Sequence, residues 1–212
     1  MAIPAPRAAA ALFVALLSFT LGAACDSSVS PSKPAAQIVA FGDSLVAGVG
    51  TTGGNNFVSL LSDRIGTTIV NAGRSGDTTG SALNRLQSDV IARQPKVVIV
   101  LLGGNDLLQG LPVSQRVANI TSIAQQIRST GATVILVGLG NDPIDPYAGA
   151  LPGIASQTGS VHVPGILEGI FGVPGLMADS VHPNNAGHKI MADRLEPALR
   201  AALAQATAAA AH

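Results

Sequence analysis

Short apolar runs and amphipathic stretches alternate along the chain from residue 37 onward. IVAF (38–41), TIVN (68–71), VVIVLL (97–102), TVILV (133–137) and VHV (161–163) are continuously apolar or β-branched, the pattern of strands covered on both faces. Between them, Phe57, Leu60, Leu61 and Ile65 share one helical face, and Leu83, Leu86 and Val90 do so behind Asp77, which reads as an N-cap. Val113, Val117, Ile120, Ala124 and Ile127 keep a 4-3-4-3 spacing that Gly131 stops, and Met191, Leu195, Leu199 and Leu203 step by four across Pro197, expected to kink or break that last helix. Alternation of this kind predicts an α/β chain, a parallel sheet with helices on both faces.

In an open parallel sheet, sites form beyond the carboxyl ends of the strands. There the sequence places GDS after the first strand, NAGRSGDT (71–78) after the second and GGND (103–106) after the third; late in the chain, DSVHP (179–183) sets an acid three residues before a histidine. Gly48, Gly50 and Gly53 also spell G-x-G-x-x-G, but they start six residues after Gly42, and Asn71 stands where a dinucleotide site needs an acid. They read instead as a flexible loop at the mouth of the site. The α/β-hydrolase elbow G-x-S-x-G fails because position 46 is Val46.

A serine hydroxyl is a poor nucleophile until a base takes its proton. His182 fits that role for Ser44 if Asp179 holds the opposite ring nitrogen, and Pro183 keeps the histidine extended ahead of the last helix. Asp43 reads as a turn-ordering residue, Asp106 as structural, Asp77 as a cap, His188 as a surface or supporting residue, His162 as a partly buried strand residue and His212 as tail. No H-x-x-H, H-E-x-x-H or C-x-x-C spacing supports a metal site.

GDSL at 42–45, the glycine turn at 73–76, GGND at 103–106 and DSVH at 179–182 resemble the four blocks of the SGNH (GDSL) hydrolase family, over a span from about Gln37 to Leu203. NAGRSGDT and LLGGND are similar to the turns of its small periplasmic acyl-thioesterase/lysophospholipase and arylesterase members. The resemblance implies a three-layer α/β/α, flavodoxin-like fold with a five-stranded parallel sheet. It also implies a serine esterase acting on carboxylic ester, thioester or lysophospholipid bonds through an acyl-enzyme on Ser44, with no cofactor. Its oxyanion donors map onto the Ser44 amide, the Asn105 side chain and a glycine amide: Gly76, with Gly73 as the alternative. A different class, a non-catalytic ligand-binding surface lipoprotein on the same scaffold, has no use for intact Ser44, Asn105, Asp179 and His182.

Acyl pockets are expected from LLQGLP (107–112) and GLGNDPIDPYAGALPG (138–153), while GILEGIFGVPGLM (165–177) reads as a lid, an acyl-chain groove or core. Short-to-medium acyl esters are the favoured substrates.

The chain has 212 residues with 12 basic and 12 acidic side chains and no basic block, which removes nucleic acid as a partner. With five Phe, one Tyr and no Trp, the core must be Val, Ile, Leu and Ala. Residues 1–24, a basic start and an apolar run, read as an export signal. LGAAC (21–25) resembles a bacterial lipobox with Cys25, the chain's one cysteine, as the lipidated residue, although Gly22 stands where lipoboxes most often carry Leu. The alternative is an ordinary signal cut near the same alanines. Residues 25–36 then form a polar tether, 37–204 the hydrolase domain and 205–212 a disordered tail. The expected product is a monomeric enzyme, membrane-anchored by lipid and facing the periplasm or cell exterior, or else soluble after export.

Overall fold

The computed structural model describes residues 1–2, 37–140 and 146–209. The export signal, Cys25 and its tether, residues 141–145 and His212 lie outside the described residues. From residue 37 on, all described residues belong to one unit, Ser32–His212. Five strands, β1 (Ile38–Gly42), β2 (Ile69–Gly73), β3 (Val97–Leu101), β4 (Thr133–Val137) and β5 (Val161–Val163), coincide with the five apolar runs. They form one parallel sheet in the order β2-β1-β3-β4-β5, the doubly wound flavodoxin-like order.

Strand side chains alternate between the two faces of the sheet. Val39, Phe41, Val98, Val100, Val134 and Leu136 point to one face, which α3 (Thr79–Asp89), α5 (Val113–Arg128) and α6 (Pro146–Thr158) cover. Ile38, Ala40, Val97, Ile99, Ile135 and Val137 point to the other, under α2 (Phe57–Ile65) and α7 (Asn185–Ala209). β1 and β3 are buried throughout, which is why their sequences show no alternation. Two single turns, α1 (Ser44–Ala47) and α4 (Gly104–Leu108), sit beyond the carboxyl ends of β1 and β3. The chain runs from β1 outward to β2 and returns to β3, so these two turns flank the point where the strand order reverses.

The structure departs from the sequence expectations in three places. α3 is capped by Thr78, whose hydroxyl accepts from the Ser81 amide in a capping box, and not by Asp77, which turns inward to Arg85. α6 runs through what looked like a loop: Tyr147, Leu151, Ile154 and Ala155 are buried along it, but Gly149, Pro152 and Gly153 obscure that spacing. α7 passes through Pro197 without ending and reaches Ala209, beyond residue 204. Arg64 of α2 grips Asp193 at 2.8 Å and Glu196 at 3.1 Å, Arg200 grips Glu196 at 2.7 Å, and Leu195 and Leu199 are fully buried. Contacts on both sides of the proline outweigh the one lost backbone hydrogen bond.

Inside the α3 face lies a buried cation. Arg85 donates through Nε to Asp77, through Nη1 to the Ala72 carbonyl at 2.9 Å and to Asp89 at 3.1 Å, and through Nη2 to the Gly42 carbonyl at 2.9 Å. Its guanidinium carbon lies 4.4 Å from the Phe41 ring centroid. Ala72 and Gly42 stand at the ends of β2 and β1, so one side chain ties together the two strand ends that lead into the GDS and SGDT turns.

Arg85→Ala should lower unfolding stability by about 3–5 kcal/mol, because it strips the buried Asp77 carboxylate of its cation and removes a donor from the Ala72 and Gly42 carbonyls. Arg85→Lys should recover little of this, since one ammonium cannot reproduce the planar fork. Urea unfolding of the two variants checks it, and a loss under about 1 kcal/mol, the range of an exposed pair, would contradict the role.

Candidate active site

β1 delivers Gly42, Asp43 and Ser44 to the sheet edge. Asp43 is the N-cap of α1: its Oδ1 accepts from the Leu45 amide at 3.0 Å, which holds the turn and leaves Ser44 half-buried at its tip. The turn-ordering role expected for Asp43 is therefore what the structure shows. Burial drives the Asp43 carboxyl up from 3.8 to about 6; the Leu45 amide and His182 pull it down and Asp77 pushes it further up.

The loop before α7 supplies the other half of the site. Asp179 Oδ1 accepts from the amides of Val181 at 2.8 Å and His182 at 2.7 Å, so the carboxylate organises its own turn. Asp179 Oδ2 lies 2.7 Å from His182 Nδ1, and His182 Nε2 lies 3.0 Å from Ser44 Oγ. The amides of Val181 and His182 and the imidazole together hold the Asp179 carboxyl down at about 2, the Val181 amide contributing most. A chain of contacts of this kind can carry the serine proton to the imidazole while the carboxylate fixes the ring.

The other expected site residues stand on the same side. Asn105, on α4, donates through Nδ2 to the Asp77 carbonyl at 3.0 Å and toward Asp43 Oδ2 at 3.5 Å. Gly76 lies on the cleft wall with φ +82°, whereas Gly73 ends β2 with its Cα packed against the backbone of Val46 and Ala47. No described group accepts from the amides of Ser44 or Gly76. Asp106 is fully buried and structural as expected: it accepts from the Thr79 amide at 2.8 Å and the Thr79 hydroxyl at 2.6 Å, joining α4 to the start of α3.

Two histidine readings separate. His162 is partly buried in β5, and burial lowers its pKa. Of the two roles read for His188, surface or supporting residue, the structure shows the second: it is fully buried, stacks on Phe57 at 5.9 Å, and accepts from the Phe57 amide at 3.2 Å through Nδ1, satisfying a free donor at the start of α2. Burial lowers its pKa to about 4, against a weaker upward pull from the Val49 carbonyl.

Sequence reasoning also passed over Arg85, Asn184 and Asn185. Asn184 accepts from the Ala186 and Gly187 amides, capping α7, and donates to the Gly175 carbonyl at 2.8 Å. Asn185 accepts from the Thr52 amide at 2.9 Å, clamping the loop after α1 onto α7. The paired asparagines ahead of an apolar four-step were a legible cap signal. In that clamped loop Gly50 has φ +93°, and a Cβ on it would come within 3.1 Å of His182 Cβ. Gly50, the middle glycine of G-x-G-x-x-G, thus serves a close approach to the turn that carries His182.

The cleft has a volume of about 780 Å³. Its walls include Leu107 and Leu108 from α4, Leu139 and Tyr147 on either side of residues 141–145, and Leu167 and Phe171 from the segment 165–177, with Ser44 and His182 between them. Within that segment the core expectation holds for Ile166 and Ile170, while Phe171 is exposed and lines the cleft.

Asp43 and His188 oppose each other as pH changes. Between pH 6 and 3.8 folded Asp43 binds a proton that the unfolded chain does not, so acidification there stabilises, by up to about 3 kcal/mol. Between pH 6.5 and 4 the unfolded chain protonates His188 and the fold does not, so acidification destabilises by a similar amount, about 3 kcal/mol. Relative to wild type, Asp43→Asn should therefore lose stability on going from pH 6.5 to 4, and His188→Gln should gain it. Urea midpoints across that range check this, and variant profiles parallel to wild type would refute it.

Comparison with known proteins accords with this geometry. The model of the GDSL-like Lipase/Acylhydrolase family matches residues 40–190. Esterase TesA of Pseudomonas aeruginosa is 34% identical over 181 residues, 79% of this chain and 90% of that protein. Thioesterase 1/protease 1/lysophospholipase L1 of Escherichia coli K12 is 30% identical over 191 residues, 86% of each. A crystal structure of TesA aligns with a TM-score of 0.74 at 33% identity, covering 78% of this chain and 98% of that one. Because the match runs from β1 through the Asp179 turn into α7, the chain belongs to the GDSL-like lipase/acylhydrolase family and is an ester hydrolase of the SGNH type.

Proposed function

We propose that the enzyme hydrolyses short-to-medium acyl esters through an acyl-enzyme on Ser44, and the observation that carries this is the unbroken run of contacts Ser44 Oγ, His182, Asp179 at 3.0 and 2.7 Å. His182 Nε2 takes the Ser44 proton as Oγ attacks the ester carbonyl, and Asp179 stabilises the imidazolium. The oxyanion is met by the Ser44 amide, the Gly76 amide and Asn105 Nδ2. His182 then protonates the leaving alcohol, and in the second half-reaction it activates the water that releases the acid. Medium chain length suits a cleft of about 780 Å³ walled by leucines and Phe171.

The address is proposed from the sequence. Cys25 would carry the lipid, with residues 26–36 as tether, because several acyl chains together anchor stably where one does not. Among the described residues no helix is long and apolar enough to cross a membrane.

Ser44→Ala should abolish ester turnover and labelling by a fluorophosphonate while the fold persists. Asn105→Ala should lower kcat by roughly 10²–10³-fold with a smaller effect on KM. Labelling that survives Ser44→Ala would remove the nucleophile, and a change confined to KM would move Asn105 out of the oxyanion hole.

Cys25→Ser should shift the mature protein from the membrane to the soluble fraction. An intact mass without lipid on the wild-type N-terminus would leave a soluble exported enzyme instead.

A further inference from the structure

The 12 acidic and 12 basic residues cancel over the whole chain but not at the catalytic edge. The described loops there, residues 43–54, 74–78, 103–112 and 164–182, carry Asp43, Asp77, Asp106, Glu168 and Asp179 against the single base Arg74. Most of these acids are answered: Asp77 by Arg85, Asp106 by Thr79, Asp179 by His182, while Asp43 is buried behind the nucleophile. Glu168 is different. It lines the cleft and is exposed, and its carboxylate takes no hydrogen bond or ion pair among the described residues. Its carboxylate lies close over Gly165 and its backbone is held by Arg194. A Cβ on Gly165 would come within 2.7 Å of its Oε1, and its own carbonyl accepts from Arg194 at 2.6 Å.

Among the described residues, no Lys or Arg lines the cleft. Arg74 leans to Asp89 at 3.5 Å, and Lys189 pairs with Asp193 at 3.0 Å. Arg194 is engaged by the carbonyls of Gly165, Ile166 and Glu168, and buried Arg116 lies 5.1 Å from the Tyr147 ring centroid. A polyphosphate group entering such a site exchanges water for no cation, and apolar walls strengthen the field of a fixed carboxylate.

Resting on the ester-hydrolase reading above, we propose that Glu168 is a specificity-determining residue that turns away anionic substrates, so that the enzyme takes esters with neutral or cationic leaving groups and discriminates against polyphosphate-bearing thioesters. The selection acts across solvent at the cleft mouth, so added salt weakens it.

The test compares one acyl chain on three leaving groups: p-nitrophenol (neutral), choline (cationic) and coenzyme A (polyanionic). The readout is the ratio of kcat/KM for each charged substrate to that for the neutral ester, at low and high salt. In wild type the coenzyme A ratio should be low and should rise with salt. Glu168→Lys should raise it about tenfold at low salt and lower the choline ratio, with Glu168→Gln between. If Glu168→Lys fails to fold, Glu168→Gln decides by the same ratios. Ratios that ignore both salt and substitution would overturn the proposal and leave the hydrolase reading standing. Absence of wild-type turnover on the neutral ester would overturn that reading and this proposal together.

Discussion

The guanidinium of Arg85 is the constraint on which the catalytic edge depends. Two strands that end in glycine turns lie side by side here, Gly42 opposite Gly73 in the register, and the only backbone donor to the Gly42 carbonyl among the described turns is the Arg74 amide at 2.9 Å. One planar, permanently charged group answers both ends and Asp77 as well. The Asp77 carbonyl in turn accepts from Asn105, which brings the third strand end into the same frame. Three loops from three strands are therefore positioned by one buried fork of donors. A loop-by-loop account would need each turn to hold its own shape.

Around that frame, the proposed acid and base are organised differently from the proposed nucleophile. Ser44 depends on the strand beneath it and on a one-turn helix capped by its neighbour Asp43. Asp179 and His182 depend on a four-residue turn that the acid itself stabilises through two backbone amides. The join between the two halves is supplied by α7, through Asn185 on the loop after α1 and His188 under the start of α2. The chemistry of the site is local at both ends, and the alignment between them is tertiary.

The strands were legible because both-sided burial writes itself as unbroken Val, Ile and Leu, and the site was legible because small polar groups stood where such runs stopped. Ser44, Asn105, Asp179 and His182 lie together for that reason. The misses share a cause. Arg85 sits between Asn84 and Leu86 on α3, and nothing local distinguishes a buried arginine from a solvated one until its partners at positions 42, 72 and 77 are known. Pro197 was read by its intrinsic cost, which ion pairs from another helix outweigh. α6 was lost under glycines and a proline whose penalty its packing overcomes, and the choice between a surface and a supporting His188 stayed open because Phe57, 131 residues away in sequence, is what it packs against.

The contact between Ser44 and His182 spans 138 residues of sequence, from the first strand to the turn ahead of the last helix. A chain made from its N-terminus has its hydroxyl and most of its sheet long before it has a base. Until α7 docks, the nascent protein holds a serine with no more reactivity than any other. On the proposed mechanism, a chain cut short before His182 has no base for its serine, and is inert by construction.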